Sequence, residues 1–321
     1  MTPFNSTIYL SYLSTYQFLF AFQQRFYDSR TASNIKRNRA AVSPAIVNEF
    51  FTNFQTVAEG VPGSNIFNYD ETNLTDNPGA QKKFLFRKGV KYTEKVMDTS
   101  KTSISVMFAG SAAGQMLPPY VVYRGNNLWK SWCKNGPVGT RYSVTQRGWF
   151  DMQTFEDWFE TIFLPIAKEL PGRKILLGDN LASHISLSVI GFCRENNVEF
   201  VCLPPSATHL LQPLDVSIYA PMKAHWKAML REYKELNPSV KIMEKTAFPS
   251  NLKMLVDRVD AGRLMPAAFE KCGIFPVNEG RALERLPSSE SSQAIATNLD
   301  NSLIQILAER QYNSSTGRGR G

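Results

Sequence analysis

Three aspartates stand where an apolar run stops or a helix is about to start. Asp70 closes "SNIFNYD", Asp179 closes "RKILLGD", and Asp215 falls within "HLLQPLDVSIY". A carboxylate at the end of a buried strand loses its hydration and keeps its charge only when paired, hydrogen-bonded or bound to a cation. If two such strands are neighbours in one sheet, their terminal carboxylates repel, and a divalent ion relieves the repulsion. Oxygen ligands without a Cys or His cluster suit magnesium or manganese. A third acid at a helix start would complete the site, beside partial positive charge that favours carboxylate and substrate phosphate alike. Singly, each acid has a plainer reading. Asp70 can order a turn with Thr72, Asp179 and Asn180 can begin a helix, and Asp215 suits a first turn after Pro213.

The elements that must hold these acids can be read from hydropathy. Strand signals cover "SNIFNYD" (64–70), "KTSISVMFAG" (101–110) and "LPPYVVYRG" (117–125), the last two joined through a turn at Gly114. From Phe150 to Leu170 apolar residues recur at the spacing of an amphipathic helix. "RKILLGD" is a short apolar run bounded by turn residues, as in a strand covered on both faces. Residues 184–196 read as helix, and "VEFVCLPP" as a strand stopped by two prolines. A helix then runs to about Lys234, with Met222, Trp226, Met229, Leu230 and Tyr233 on one face and Lys223, Lys227, Arg231 and Lys234 on another. Pro221 either kinks this helix or marks its first turn. Strands first, then strands alternating with helices, give an α/β chain with a mixed sheet covered by helices. No Gly-rich phosphate loop is present to support nucleotide binding.

Composition narrows the partner. The 321 residues carry a formal charge of +8 and 43% hydrophobic residues, which fits a globular chain with a polyanionic partner, nucleic acid first. Cys133, Cys193, Cys202 and Cys272 are scattered with no CxxC pair, so they read as reduced structural thiols. Three histidines in the whole chain are too few for a His-rich metal site. The apolar start "STIYLSYLSTYQFLFAF" is broken by Ser, Thr and Gln and lacks a basic leader, so neither a signal peptide nor a membrane span is expected.

Together, "NYDETN", "GDNLASH", "VEFVCLPPSATHLLQPLDV" and the following "PMK" and Trp226 resemble the DDE catalytic domain of mariner/pogo DNA transposases, of the Tigger/jerky-like branch. The likeness runs from about residue 25 to 280 and includes "AFEKCGIFPVN". The separation of 36 positions from Asp179 to Asp215 (215 − 179) lies within that family's usual range. The resemblance implies a ribonuclease-H-like, five-stranded mixed sheet flanked by helices. In such a fold the first two acid-bearing strands are adjacent and the third acid sits on a later helix. It also implies that Asp70, Asp179 and Asp215 are the catalytic metal ligands for two Mg²⁺ or Mn²⁺ ions, in phosphodiester cleavage followed by strand transfer. The alternative is a domesticated, catalytically inactive DNA-binding or chromatin-associated protein.

Around the acids, Asn180 and His184 would contact substrate phosphate or metal-bound water, or cap a helix. His209 and Gln212 would order the loop before Asp215. Glu71, next to Asp70, faces the other side of its strand and is not expected to ligate. Lys82, Lys83, Arg87, Lys88, Lys91 and Lys95, interleaved with aromatics, suit contact with a DNA backbone, or form a solvated hairpin. The Lys223, Lys227, Arg231 and Lys234 stripe has the same two readings.

The expected divisions are a helical basic extension over 1–60, the catalytic domain over 61–236, a helical extension over 237–287 and a disordered Ser-rich tail over 288–321. No pair of helix-turn-helix modules is visible ahead of "NYDET", and the leading segment reads as truncated or as a gene-model artefact. Expected partners are DNA, a second copy of the chain and a full-length relative supplying end recognition. "IKRNR" is consistent with a nuclear location.

Overall fold

The computed structural model describes residues 42–76, 103–179, 186–237 and 242–286. These residues belong to one compact unit that starts at Val42. Its centre is a sheet of β1 (Ile66–Thr75), β2 (Ser103–Ser111), β3 (Tyr120–Arg124), β4 (Arg141–Thr145), β5 (Lys174–Gly178) and β6 (Val198–Cys202). The strands lie in the order β4-β3-β2-β1-β5-β6. β2 is antiparallel to both β1 and β3, whereas β5 is parallel to both β1 and β6. The architecture is α/β and ribonuclease-H-like.

The sheet has six strands rather than the five expected. The additional one, β4, pairs parallel with β3 at the sheet edge. None of its residues is fully buried, so no apolar run announces it. The β2–β3 hairpin turns where expected, and Gly114 adopts φ +100°, a backbone region open chiefly to glycine.

Alternation along β1 divides the core. Ile66 and Leu74 join one apolar cluster, while Phe67 and Tyr69 join the other. The second cluster is filled by α2 (Met152–Trp158), α3 (Leu164–Glu169) and α4 (Leu187–Glu195) through Phe155, Trp158, Leu164 and Val189. The first takes in α1 (Pro44–Ala58), begun by the Ser43 cap, with Phe51 and Phe54 buried. It continues through α5 (Thr208–Leu211), α6 (Tyr219–Leu236), α7 (Phe248–Asp257), α8 (Ala261–Lys271) and α9 (Glu279–Leu283).

Two helices expected to be regular are interrupted by π turns, each just ahead of a proline. Phe159–Phe163 separates α2 from α3, whose second residue is Pro165, and Leu214–Ile218 precedes α6, whose third residue is Pro221. A proline has no N–H to return to the preceding turn, so that turn widens. Pro221 therefore lies in the first turn of α6 and does not kink its middle. No described helix is long and apolar enough to cross a membrane.

Candidate metal and nucleic-acid site

The sheet and the second π turn bring the three aspartates to one region. The parallel pairing of β1 with β5 runs Ile66 to Ile175, Phe67 to Leu176 and Asn68 to Leu177. Two residues further along each strand stand Asp70 and Asp179. Asp215 sits on the turn Leu214–Ile218, which packs against β1 and α8.

Electrostatics record their proximity. The Asp70 carboxyl is held well above the usual carboxylate range, first by burial and then by the charges of Asp215 and Asp179. The Asp179 carboxyl is raised to about 6 by burial, then by Glu71 and Asp215. The buried phenol of Tyr219 is pushed up by burial and by the charge of all three aspartates and Glu71. Asp70 and Asp179 are half-buried and Asp215 is exposed. Such a concentration of hard oxygen donors around a desolvated pair suits a divalent cation, which would offset the like-charge repulsion. Among the described residues, however, no group of three or more His, Cys, Asp or Glu already stands at the spacing of a formed metal site.

A buried amide pair holds the region together. Asn68 and Gln212 are both 0% exposed. Asn68 donates from Nδ2 to the Leu177 carbonyl (2.9 Å) and to Gln212 Oε1 (2.9 Å), and its Oδ1 accepts from the Leu214 N–H (3.1 Å). Gln212 donates to the Tyr69 carbonyl (3.0 Å), and its amide offsets part of the upward push on the Asp70 carboxyl. α6 is then laid along β1 by two further bonds. The Tyr219 hydroxyl donates to the Asp70 carbonyl and Trp226 Nε1 to the Thr75 carbonyl, both at 2.7 Å.

Glu71 projects from the opposite face of β1 to Asp70, as alternation requires. It accepts from Ser105, its carboxyl is raised by burial, and its charge is felt by Asp179. His209 contacts its own loop, with Nδ1 2.9 Å from the Ser206 carbonyl. Arg285 grips the same segment, donating to the His209 (2.8 Å) and Leu210 (2.9 Å) carbonyls. On α6, Lys227 and Arg231 are exposed, and half-buried Lys223 lies 5.4 Å from the centre of the Tyr219 ring. Asn180, His184, Lys82, Lys83, Arg87, Lys88, Lys91 and Lys95 lie outside the described residues.

Sequence reading missed Asn68, Tyr219 and Arg285. Asn68 had a signal: it is an amide set among the apolar residues Ile66, Phe67 and Tyr69, two residues before an acid. Tyr219 follows Asp215 by one helical turn, but its bond to β1 depends on packing that periodicity does not reveal. Arg285 acts across 75 residues of chain, and nothing local marks it.

The ribonuclease-H-like sheet thus carries Asp70 in the middle of β1, which continues five residues beyond the end expected at Asp70, Asp179 just past the end of the adjacent parallel strand β5, and Asp215 at a helix start. Residues 101–255 match the family model described as DDE superfamily endonuclease, a stretch that includes Asp179 and Asp215 and begins after Asp70. The chain is 28% identical over 179 residues to a protein named MFS-type transporter clz9 from Cochliobolus lunatus, covering 55% of this chain and 19% of that one. It is 27% identical over 129 residues to the human Pogo transposable element with KRAB domain, covering 40% and 21%. The chain thus spans about a fifth of the length of these curated relatives. Among solved structures, the Mos1 transposase paired-end complex with left transposon end aligns at 10% identity and TM-score 0.40, over 81% of this chain and 70% of that one. Over residues 101–255 the chain is thus similar to DDE superfamily endonucleases, and over 129 residues to a pogo-type transposable-element protein.

Proposed function

We propose that this domain binds DNA and cleaves and transfers its phosphodiester bonds with two Mg²⁺ or Mn²⁺ ions held by Asp70, Asp179 and Asp215. The observation that carries the reading is the convergence of these three carboxylates, with burial and neighbouring charge raising Asp70 (from Asp215 and Asp179) and Asp179 (from Glu71 and Asp215). Bound divalent ions would activate the attacking oxygen and offset charge on the leaving one. Asp70 and Asp179 would supply ligands from adjacent strands, while Asp215 would close the site from its helix start. The basic stripe of Lys223, Lys227 and Arg231 on α6 is assigned to the DNA backbone, because it lies on the helix that begins directly after the Asp215 turn.

The test is nicking of supercoiled plasmid by the purified chain with magnesium or manganese, alongside Asp179→Ala. Metal-dependent nicking by the wild type that the variant lacks supports the reading. Equal nicking by both proteins sinks the site assignment. Salt-sensitive DNA binding without cleavage under either metal, unchanged by replacing all three aspartates, would instead establish the catalytically inactive DNA-binding alternative.

A further inference from the structure

We infer that Asn68 and Gln212 are positioning residues that together set the spacing of the three aspartates. The inference rests on the metal-site reading above and assigns neither residue to the metal itself.

Each side-chain nitrogen and oxygen of the buried pair has a hydrogen-bond partner, as burial demands, and what sets the pair apart is where those partners lie. A primary amide offers two N–H donors and a carbonyl oxygen with two lone pairs. Asn68 spends its donors on Leu177 and Gln212 and its acceptor on the Leu214 N–H. Gln212 accepts from Asn68 and donates to the carbonyl of Tyr69, the residue directly before Asp70. The amide orientations follow from the partners, because the Leu214 N–H needs an oxygen and the Leu177 and Tyr69 carbonyls need N–H groups.

The anchor points coincide with the aspartates. Leu177 is two residues before Asp179, Tyr69 directly precedes Asp70, and Leu214 directly precedes Asp215. The pair thus tethers three separate chain segments through main-chain atoms within two residues of each acid. Backbone pairing of β1 with β5 fixes two of the segments, but it does not reach the π turn that carries Asp215. The Asn68 bond to the Leu214 N–H and the Gln212 bonds to Asn68 and the Tyr69 carbonyl supply that third link. Buried polar networks of this kind, fully satisfied, specify one arrangement among several that packing alone would allow.

Manganese titration calorimetry on the intact chain tests the inference, using wild type, Gln212→Met and Asn68→Leu. Leu252→Ala on α7 serves as a core-destabilised control, and each protein is measured well below its own thermal midpoint. Removal of a group that orients metal ligands commonly weakens metal affinity by about 10–100-fold. The expected result is a loss of about tenfold or more in Mn²⁺ affinity for both amide variants, with Leu252→Ala binding as the wild type does. If either amide variant is poorly folded by circular dichroism, Gln212→Asn replaces it, keeping the amide but withdrawing it by one methylene. Amide variants that fold and bind Mn²⁺ like the wild type overturn the positioning role and leave the metal site standing. Equal weakening in Leu252→Ala overturns it too, since general loosening would then explain the effect. A wild type that binds no Mn²⁺ overturns the metal reading, and this inference with it, and the wild-type titration alone identifies that case.

Discussion

The ring of Tyr69 fills the space that any side chain at position 178 would need, because a Cβ built on Gly178 overlaps the ring and its hydroxyl. Tyr69 immediately precedes Asp70 on β1, and Gly178 immediately precedes Asp179 on β5. The glycine therefore lets two acid-bearing strands lie side by side with a full aromatic packed against their junction. Tyr69 cannot readily yield, being set between Phe155 at 5.3 Å and Trp158 at 5.2 Å. Gly178→Ala is expected to cost about 1–3 kcal/mol, the usual range for overpacking a filled core. Urea unfolding measures it, and a variant as stable as the wild type would show that the ring moves freely.

The raised Asp179 carboxyl makes the metal-free chain sensitive to pH. Its folded value of about 6 exceeds the ordinary 3.8, so the folded state holds this proton more tightly than the unfolded chain does. This group's contribution to stability is thus present below the ordinary value and is lost as pH rises through about 6. Asp179→Asn cannot ionise. With chelator present it is expected to be more stable than wild type at pH 7, by on the order of 2 kcal/mol, and to show no such gain near pH 3. Thermal melts at the two pH values decide the matter. A gain of equal size at both would mean that charge is not the cause.

A cation that binds only the folded chain should reverse that penalty. At a free concentration of a hundred times its Kd, Mn²⁺ should stabilise wild type by about 2.7 kcal/mol and leave Asp179→Asn nearly unmoved. Differential scanning calorimetry with and without Mn²⁺ reads the difference. Equal stabilisation of both proteins would place the ion elsewhere.

The basic face of α6 makes a separate prediction. Replacing Lys223, Lys227 and Arg231 by Gln should weaken duplex binding without sequence preference. It should also flatten the log–log salt dependence by about 0.9 for each phosphate that is no longer neutralised. Fluorescence anisotropy across a salt series measures both effects. An unchanged slope would assign these side chains to a solvated helix face.

Much of this arrangement is legible in the sequence because burial leaves period-two and apolar-run signatures. β1, β2, β3, β5 and β6 all appear that way, and Asp70 and Asp179 stand out as charges ending such runs. β4 is not legible: its five residues are stabilised by pairing with β3 at an exposed edge, so hydropathy carries no trace of them. The π turns are hidden for a different reason. Apolar spacing across 155–166 fits one regular helix, and only the backbone effect of Pro165 breaks it. The amide pair is the instructive miss. From sequence, Gln212 orders its own loop, yet its partner Asn68 is 144 residues away. A hydrogen bond between distant amides has no sequence period.

The claim that Asp70, Asp179 and Asp215 share a divalent cation is tested most directly by anomalous diffraction from crystals soaked in millimolar Mn²⁺. The prediction is an anomalous peak bounded by the Asp70 and Asp179 carboxylates, with Asp215 drawn toward it, and no such peak in Asp179→Asn. Well-ordered carboxylates at all three positions with no anomalous density between Asp70 and Asp179 would contradict it.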